Sequence, residues 1–319
     1  MKFLKIALVF IGVFAHLECF SKPTLRVYTY SAMASKYGSG PSLKETFEKQ
    51  CNCHLQWVPF DTGILLLNRL EWEGDKSKAD VVLGIESVIA QEALDLNLFM
   101  DLDLPPTFGQ SQLIPYSRIC LAFVYDQDRV PNPPSSFNEL IEGSYKLILQ
   151  DPRTSLTGTA LISWIRLIYG EKSSEFWKKL EPNILTFTRS WSEAYTLFQR
   201  GEGDLVLSYM SSPLYHEVKE GKTNYQAAVF RGGNLTLYEM GGILKMSQQK
   251  ELSKDFIRFL RSPKGQNILA TKGWQYPLEG RPDEWSDLAT YREPDSHQHD
   301  LSSFDRVKWI KEWEQSLTR

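Results

Sequence analysis

Short β-branched or aromatic runs alternate with longer amphipathic stretches along most of the chain. Leu25–Tyr30 predicts a first strand. The glycine-rich turn Tyr37-Gly38-Ser39-Gly40 follows, and Pro41 sits at proline's favoured first helical position, so a helix is predicted to about Gln50. His54–Val58 predicts the next strand. Asp61-Thr62-Gly63 then turns into a helix with Leu66, Leu67 and Leu70 on one side, and Ala79–Ile85 predicts a third strand whose one acid is Asp80. Strand–helix–strand units of this length imply a parallel sheet covered on both faces.

A second series starts near Cys120. Cys120–Tyr125 and Tyr145–Gln150 predict strands, and Asn132-Pro133-Pro134-Ser135-Ser136 breaks the chain and caps a short helix at Phe137–Glu142. Asp151-Pro152-Arg153-Thr154-Ser155 leads into a helix in which Ala160, Leu161, Trp164, Leu167 and Ile168 recur at helical spacing. Ser190-Trp191-Ser192-Glu193 has the form of a capping box, opening a helix that buries Ala194, Tyr195 and Phe198. Strands are predicted at Asp204–Tyr209, Gln226–Phe230 and Gly241–Lys245. From Leu252 the chain reads as helical, with Phe256, Phe259 and Leu260 inward, and it turns irregular and polar around Asp295–His299.

Two such series predict an α/β protein of two lobes with a cleft between them. Residues 22–117 with 232–319 are expected to form the first, discontinuous lobe, and 118–231 the second. In open α/β sheets ligands bind beyond the carboxyl ends of the strands. That rule selects the turns Tyr30–Pro41, Phe60–Gly63, Asp151–Gly158, Ser190–Ser192 and Tyr209–Tyr215, and with them Tyr30, Tyr37, Asp61, Ser155, Trp191, Tyr209 and Tyr215. Five aromatics and a carboxylate suit a flat cation held by stacking, cation–π attraction and charge. At the helix start after Asp151, backbone N–H groups with the Ser155 and Thr157 hydroxyls favour an anion, although an ordinary cap has the same composition. Arg153 is expected to brace Asp151 rather than meet a ligand.

The N-terminus reads as an address. Lys2 and Lys5 precede the apolar run Ile6–Ala15 and a polar stretch ending Cys19-Phe20-Ser21, the pattern of a signal peptide cut after Ser21. Ten residues are too few for a bilayer-spanning helix, which needs about 20, so no direct membrane insertion is expected. The 319 residues carry 36 basic and 39 acidic side chains, a balance that offers no field for nucleic acid or an anionic membrane. An exported chain meets an oxidising compartment, which favours pairing Cys51 with Cys53; free thiols, or a metal site with His54, are the alternatives. Cys120 lies in an apolar run and reads as a buried thiol.

Catalysis finds little support. There is no Gly-x-Ser-x-Gly elbow, no His-Glu-x-x-His, no phosphate loop and no dinucleotide fingerprint, so neither an enzyme nor a cofactor is expected. The segments Val27-Tyr28-Thr29-Tyr30, Cys51-Asn52-Cys53, Leu66-Leu67-Asn68-Arg69-Leu70, Lys78–Gly84, Gln150–Ser155, Trp191–Tyr195 and Leu207-Ser208-Tyr209, in this order, resemble the periplasmic thiamine-binding proteins of bacterial ABC importers. The resemblance implies a type II periplasmic-binding fold, thiamine or its phosphates between the lobes, an ABC permease as partner and a monomer. It also implies stacking by Tyr30, Trp191, Tyr215 and Trp274, a turn contact at Thr62-Gly63, and a phosphate-side contact at Ser155. Strand-end contacts are implied at Tyr209, Met210, Ser211 and Ser212.

This chain departs from that family in three places. Asp61-Thr62-Gly63 stands where the family has Glu-Asp-Gly, Tyr37 stands where it has Trp, and Leu156 replaces a hydroxyl residue. These departures bear on the choice among thiamine, its monophosphate and its diphosphate. The rival readings are a same-fold binder of ferric ion, a polyamine or another heterocyclic cation, and an exported hydrolase. Iron sites of this fold use adjacent tyrosines, whereas Tyr209 and Tyr215 are six apart.

Overall fold

The structure, a computed structural model, describes residues 22–102, 110–294 and 305–317. The expected signal peptide (1–21) and the polar stretch around Asp295–His299 lie outside the described residues. Among the described residues nine strands form one sheet: β1 (Thr24–Tyr30), β2 (His54–Phe60), β3 (Val81–Glu86), β4 (Ile114–Asp126), β5 (Leu147–Gln150), β6 (Ile184–Thr188), β7 (Leu205–Tyr209), β8 (Tyr225–Ala227) and β9 (Thr236–Ile243). Their order is β2-β1-β3-β9-β4-β7-β5-β6, with β8 also on β4.

The pairing divides the sheet in two at β4. β1 lies parallel to β2 and β3, and β5 lies parallel to β6 and β7, as the strand–helix repeats predict. Between these parallel halves, β9 runs antiparallel to both β3 and β4, and β4 runs antiparallel to β7. The thirteen residues of β4 therefore serve both lobes: Ile114–Cys120 pairs with β9, and Leu121–Tyr125 with β7. The purely parallel sheet expected from the sequence is corrected to a mixed one. The physical reason is that the chain crosses between lobes along extended strands, and a strand that goes across and one that comes back must run opposite ways.

Several boundaries shift accordingly. β4 begins at Ile114, not Cys120; β9 begins at Thr236, not Gly241; and the strand expected over Gln226–Phe230 is confined to Tyr225–Ala227. β6 had no counterpart in the prediction, because its alternation is weak: all but Thr188 of its five residues retain exposure. The caps are closer to expectation. Ser136 Oγ accepts from Glu139 N, and Ser190 Oγ accepts from Glu193 N. The Glu193 carboxylate, however, takes the N–H of Arg189 and not that of Ser190, so the reciprocal half of the box is displaced by one residue.

Cys51 and Cys53 form a disulfide across Asn52, whose positive φ of 50° ends the helix Gly40–Cys51 and starts β2. Cys120 is a fully buried thiol. The last helix, Arg306–Leu317, packs against helices Leu156–Tyr169 and Ser173–Leu180 of the second half. Trp313 meets Trp177 and Phe187 edge-on, and Glu314 and Glu312 reach Arg153 and Arg166. Its first residue instead grips Glu92 of the first half, Arg306 Nε lying 2.8 Å from the carboxylate.

Candidate functional site

The turns selected by the strand-end rule converge where the two halves meet. Trp191 opens the helix Trp191–Gln199, and its ring lies against Tyr195 (centroids 5.0 Å apart, 25° between planes). Its indole Nε1 donates to Ser208 Oγ at 2.7 Å, and Ser208 Oγ meets Ser212 Oγ at 2.7 Å. Tyr195 in turn stacks on His216 and bonds its Nε2 at 3.0 Å, with Glu220 on the other imidazole nitrogen. The outermost aromatic therefore stands on a column whose polar atoms are all engaged, and Tyr209 lies beside it at 6.2 Å. Met210, Ser211 and Ser212 are buried at the turn after β7, where they shape the wall from behind.

Ser155 caps the helix Leu156–Tyr169 by backbone alone; its side chain makes no cap bond, and the first helical N–H groups remain available. Thr157 Oγ1 lies 3.2 Å from Tyr209 Oη, tying this helix start to the aromatic wall. Arg153 braces Asp151, as expected: its guanidinium clamps the Asp151 carboxylate and also reaches Glu314.

From the first half comes a second helix start, Gly63–Glu73, capped by Thr62 Oγ1, which accepts from Leu65 N at 3.2 Å. A side chain at Gly63 would stand 2.3 Å from Leu156 Cδ1, so the two halves touch here and the glycine is what admits the leucine. Tyr30 ends β1 beside Gly84, whose φ of 92° bulges β3 and whose missing Cβ leaves room for the tyrosine ring. Trp274 takes φ 59° at a helix end that glycine normally occupies, a costly conformation for an aromatic residue. Its ring meets Tyr215 edge-on at 5.8 Å.

Two candidates stay outside this assembly. Tyr37 is 65% exposed with Lys36 over its ring, and Asp61 is exposed without a hydrogen bond or ion pair among the described residues. They lie on two separate turns, and both side chains are exposed.

Sequence reasoning missed the groups at the bottom of the assembly. Glu86 and Glu239, 4% and 5% exposed, face each other on β3 and β9. Glu239 accepts from Ser117 Oγ at 2.9 Å and from the Gln275 amide, which also donates to Tyr30 Oη at 3.1 Å. Burial lifts the Glu239 carboxyl to about 7, and burial followed by repulsion from Glu239 pushes Glu86 well above the ordinary range. Burial likewise raises the Tyr30 and Tyr209 phenols. The signal was present in the sequence as an acid inside each of two apolar strand runs, Val81–Glu86 and Leu235–Ile243.

The profile of the family described as bacterial extracellular solute-binding protein matches residues 25–275. The chain belongs to this family of solute-binding proteins. Among its relatives, the thiamine-binding periplasmic protein of Salmonella typhimurium is 40% identical over 94% of this chain and 95% of its own length. A solved periplasmic thiamin-binding protein superposes with TM-score 0.85 at 38% identity, covering 93% of this chain and 97% of that one. Iron-bound HitA of Pseudomonas aeruginosa, at 17% identity, TM-score 0.75 and coverage of 92% and 99%, shares the fold alone. The two-lobe architecture of this solute-binding protein is thus the type II periplasmic-binding fold, and the fold by itself does not choose the ligand.

Proposed function

We propose that this solute-binding protein captures thiamine, or a thiamine phosphate, between its lobes outside the cytoplasmic membrane and delivers it to an ABC permease. The observation that carries the reading is the braced aromatic wall Trp191–Tyr209, set beside two helix N-termini that start at Gly63 and Leu156. A flat cation stacks on the first, and an anionic tail suits the second. The kinship with proteins named for thiamine binding agrees with both halves of that chemistry.

In this reading Trp191, Tyr30, Tyr215 and Trp274 supply the stacking faces. Ser155 and the N–H groups after it take the hydroxyethyl or phosphate end. Leu156, lacking a hydroxyl, shifts preference towards the less phosphorylated forms. The mature chain starts at Lys22 and works as a monomer; it captures and releases and performs no reaction.

Cation–π contacts are worth about 0.5–2 kcal/mol each, whereas nanomolar affinity needs roughly 12 kcal/mol. Lobe closure must therefore contribute, by excluding water and completing the hydrogen bonds. Calorimetric titration of ligand-stripped protein with thiamine, its monophosphate and its diphosphate tests the proposal. One-to-one submicromolar binding with thiamine at least as tight as the diphosphate is the expected result, and absence of binding by all three refutes it.

A further inference from the structure

Glu86 and Glu239 are opposite partners in the antiparallel pairing of β3 with β9, so their side chains rise from the same face of the sheet. Like charges so placed destabilise a sheet, and burial without a cation makes the cost larger. The groups around them are Tyr30 from β1, Tyr116 and Ser117 from β4, Tyr209 from β7, and Gln275 after the helix Pro263–Gly273. Among the described residues neither acid has a lysine, arginine or histidine partner. Glu86 Oε2 is buried and makes no hydrogen bond, and the Tyr116 hydroxyl, in a residue only 1% exposed, faces both acids.

The buried carboxylate of Asp80, by contrast, is satisfied by Arg26 N and Ser247 Oγ, whereas Glu86 keeps an oxygen without a donor. Unmet capacity for a positive charge therefore sits between Tyr30 of one lobe and Tyr209 of the other. We propose that Glu86 and Glu239 form the anionic floor of the interlobe site and supply the counter-charge that selects a flat ligand with a permanent positive charge. The inference rests on the thiamine reading above and names the groups that recognise the cation.

The floor couples binding to a proton. Without ligand the buried pair retains a proton near neutrality, since burial raises Glu239 to about 7 and Glu86 well above its ordinary value. A bound cation favours the ionised pair, so a carboxyl O–H is broken and its proton leaves to the solvent buffer.

The test is titration of the unmodified protein with thiamine at pH 7 in two buffers of different ionisation enthalpy. It is repeated on Glu239→Gln and Glu86→Gln, and with the neutral aminopyrimidine half of thiamine as probe. Expected are release of a sizeable fraction of a proton per thiamine, and affinity that weakens as pH falls towards 5. Each variant should lose about tenfold or more in thiamine affinity, with less than about threefold change for the neutral probe. Tight thiamine binding without proton release overturns the floor while leaving the thiamine reading intact, and so does binding by both variants at the unmodified level. The buffer comparison decides even if a variant fails to fold. If the unmodified protein binds no thiamine, the thiamine reading and the floor fall together.

Discussion

The wall and the floor of the cleft are built on opposite plans. Trp191 stands on Tyr195 and His216, its indole nitrogen is bonded to Ser208, and the column ends on Glu220. Each polar atom in that column has its partner, so the wall is rigid before any ligand arrives. The floor keeps two acids side by side with Glu86 Oε2 unpartnered. Shape is thus fixed in advance by one lobe, while charge is left uncompensated on β3 and β9, beside the strand that serves both. Affinity gains from rigidity where stacking is wanted, and selectivity gains from an unmet charge where a cation is wanted.

The contrast can be broken from either side. The largest effect belongs to the wall: Trp191→Ala should weaken thiamine binding by ten- to a hundredfold, as befits about 1.4–2.7 kcal/mol of stacking and cation–π attraction. Melting temperature should fall only a few degrees, because the ring is only partly buried. Fluorescence or calorimetric titration beside a thermal melt reads both. Next comes closure. Gly63→Ala sets a methyl against Leu156 and should cost about tenfold in affinity, and Leu156→Ala added to it should restore most of that loss. A double-mutant cycle in which the leucine change rescues nothing would place the lobes apart at this point.

The floor answers to pH in the unliganded protein. Glu239 titrates near 7 when folded against 4.5 ordinarily, so its protonated form contributes stability that is complete below about 4.5 and is lost as pH rises through about 7. Glu239→Gln cannot ionise. It should melt a few degrees higher than the unmodified protein at pH 8 and gain nothing at pH 4.5, which a pair of thermal scans reveals. The smallest effect is expected at the mouth: Asp61→Asn, at an exposed residue without a partner among the described residues, should change thiamine affinity by less than about threefold in the same titration. A tenfold loss would mean that the turn swings inward when ligand binds.

Much of this was legible in the sequence, and unevenly so. Alternation and capping residues located β1, the helix Phe137–Glu142 and the turns that carry Tyr30, Ser155, Trp191 and Tyr209, because those features are local. The crossing strands were not legible. Pro115, Ser117 and Arg118 interrupt the first half of β4, so only Cys120–Tyr125 reads as a strand, and only the pairing shows that Ile114–Cys120 and Leu121–Tyr125 serve different lobes. The acids escaped for the same reason. Glu86 ends one strand and Glu239 sits within another, 153 positions further on, and no local pattern announces that they become neighbours. Conversely, Tyr37 and Asp61 fit the chemistry by composition, but their side chains are exposed and stand apart from the wall, although the turns that carry them are packed at Ser39 and Gly63.

The most direct test of the whole account is a crystal structure of the protein grown with thiamine. The account requires one thiamine between the lobes, stacked on Trp191, with its positive ring nearer Glu86 and Glu239 than any other charged group and its hydroxyethyl arm at Ser155. Thiamine found elsewhere, or lying in the cleft with its positive ring turned away from the two acids, would contradict it.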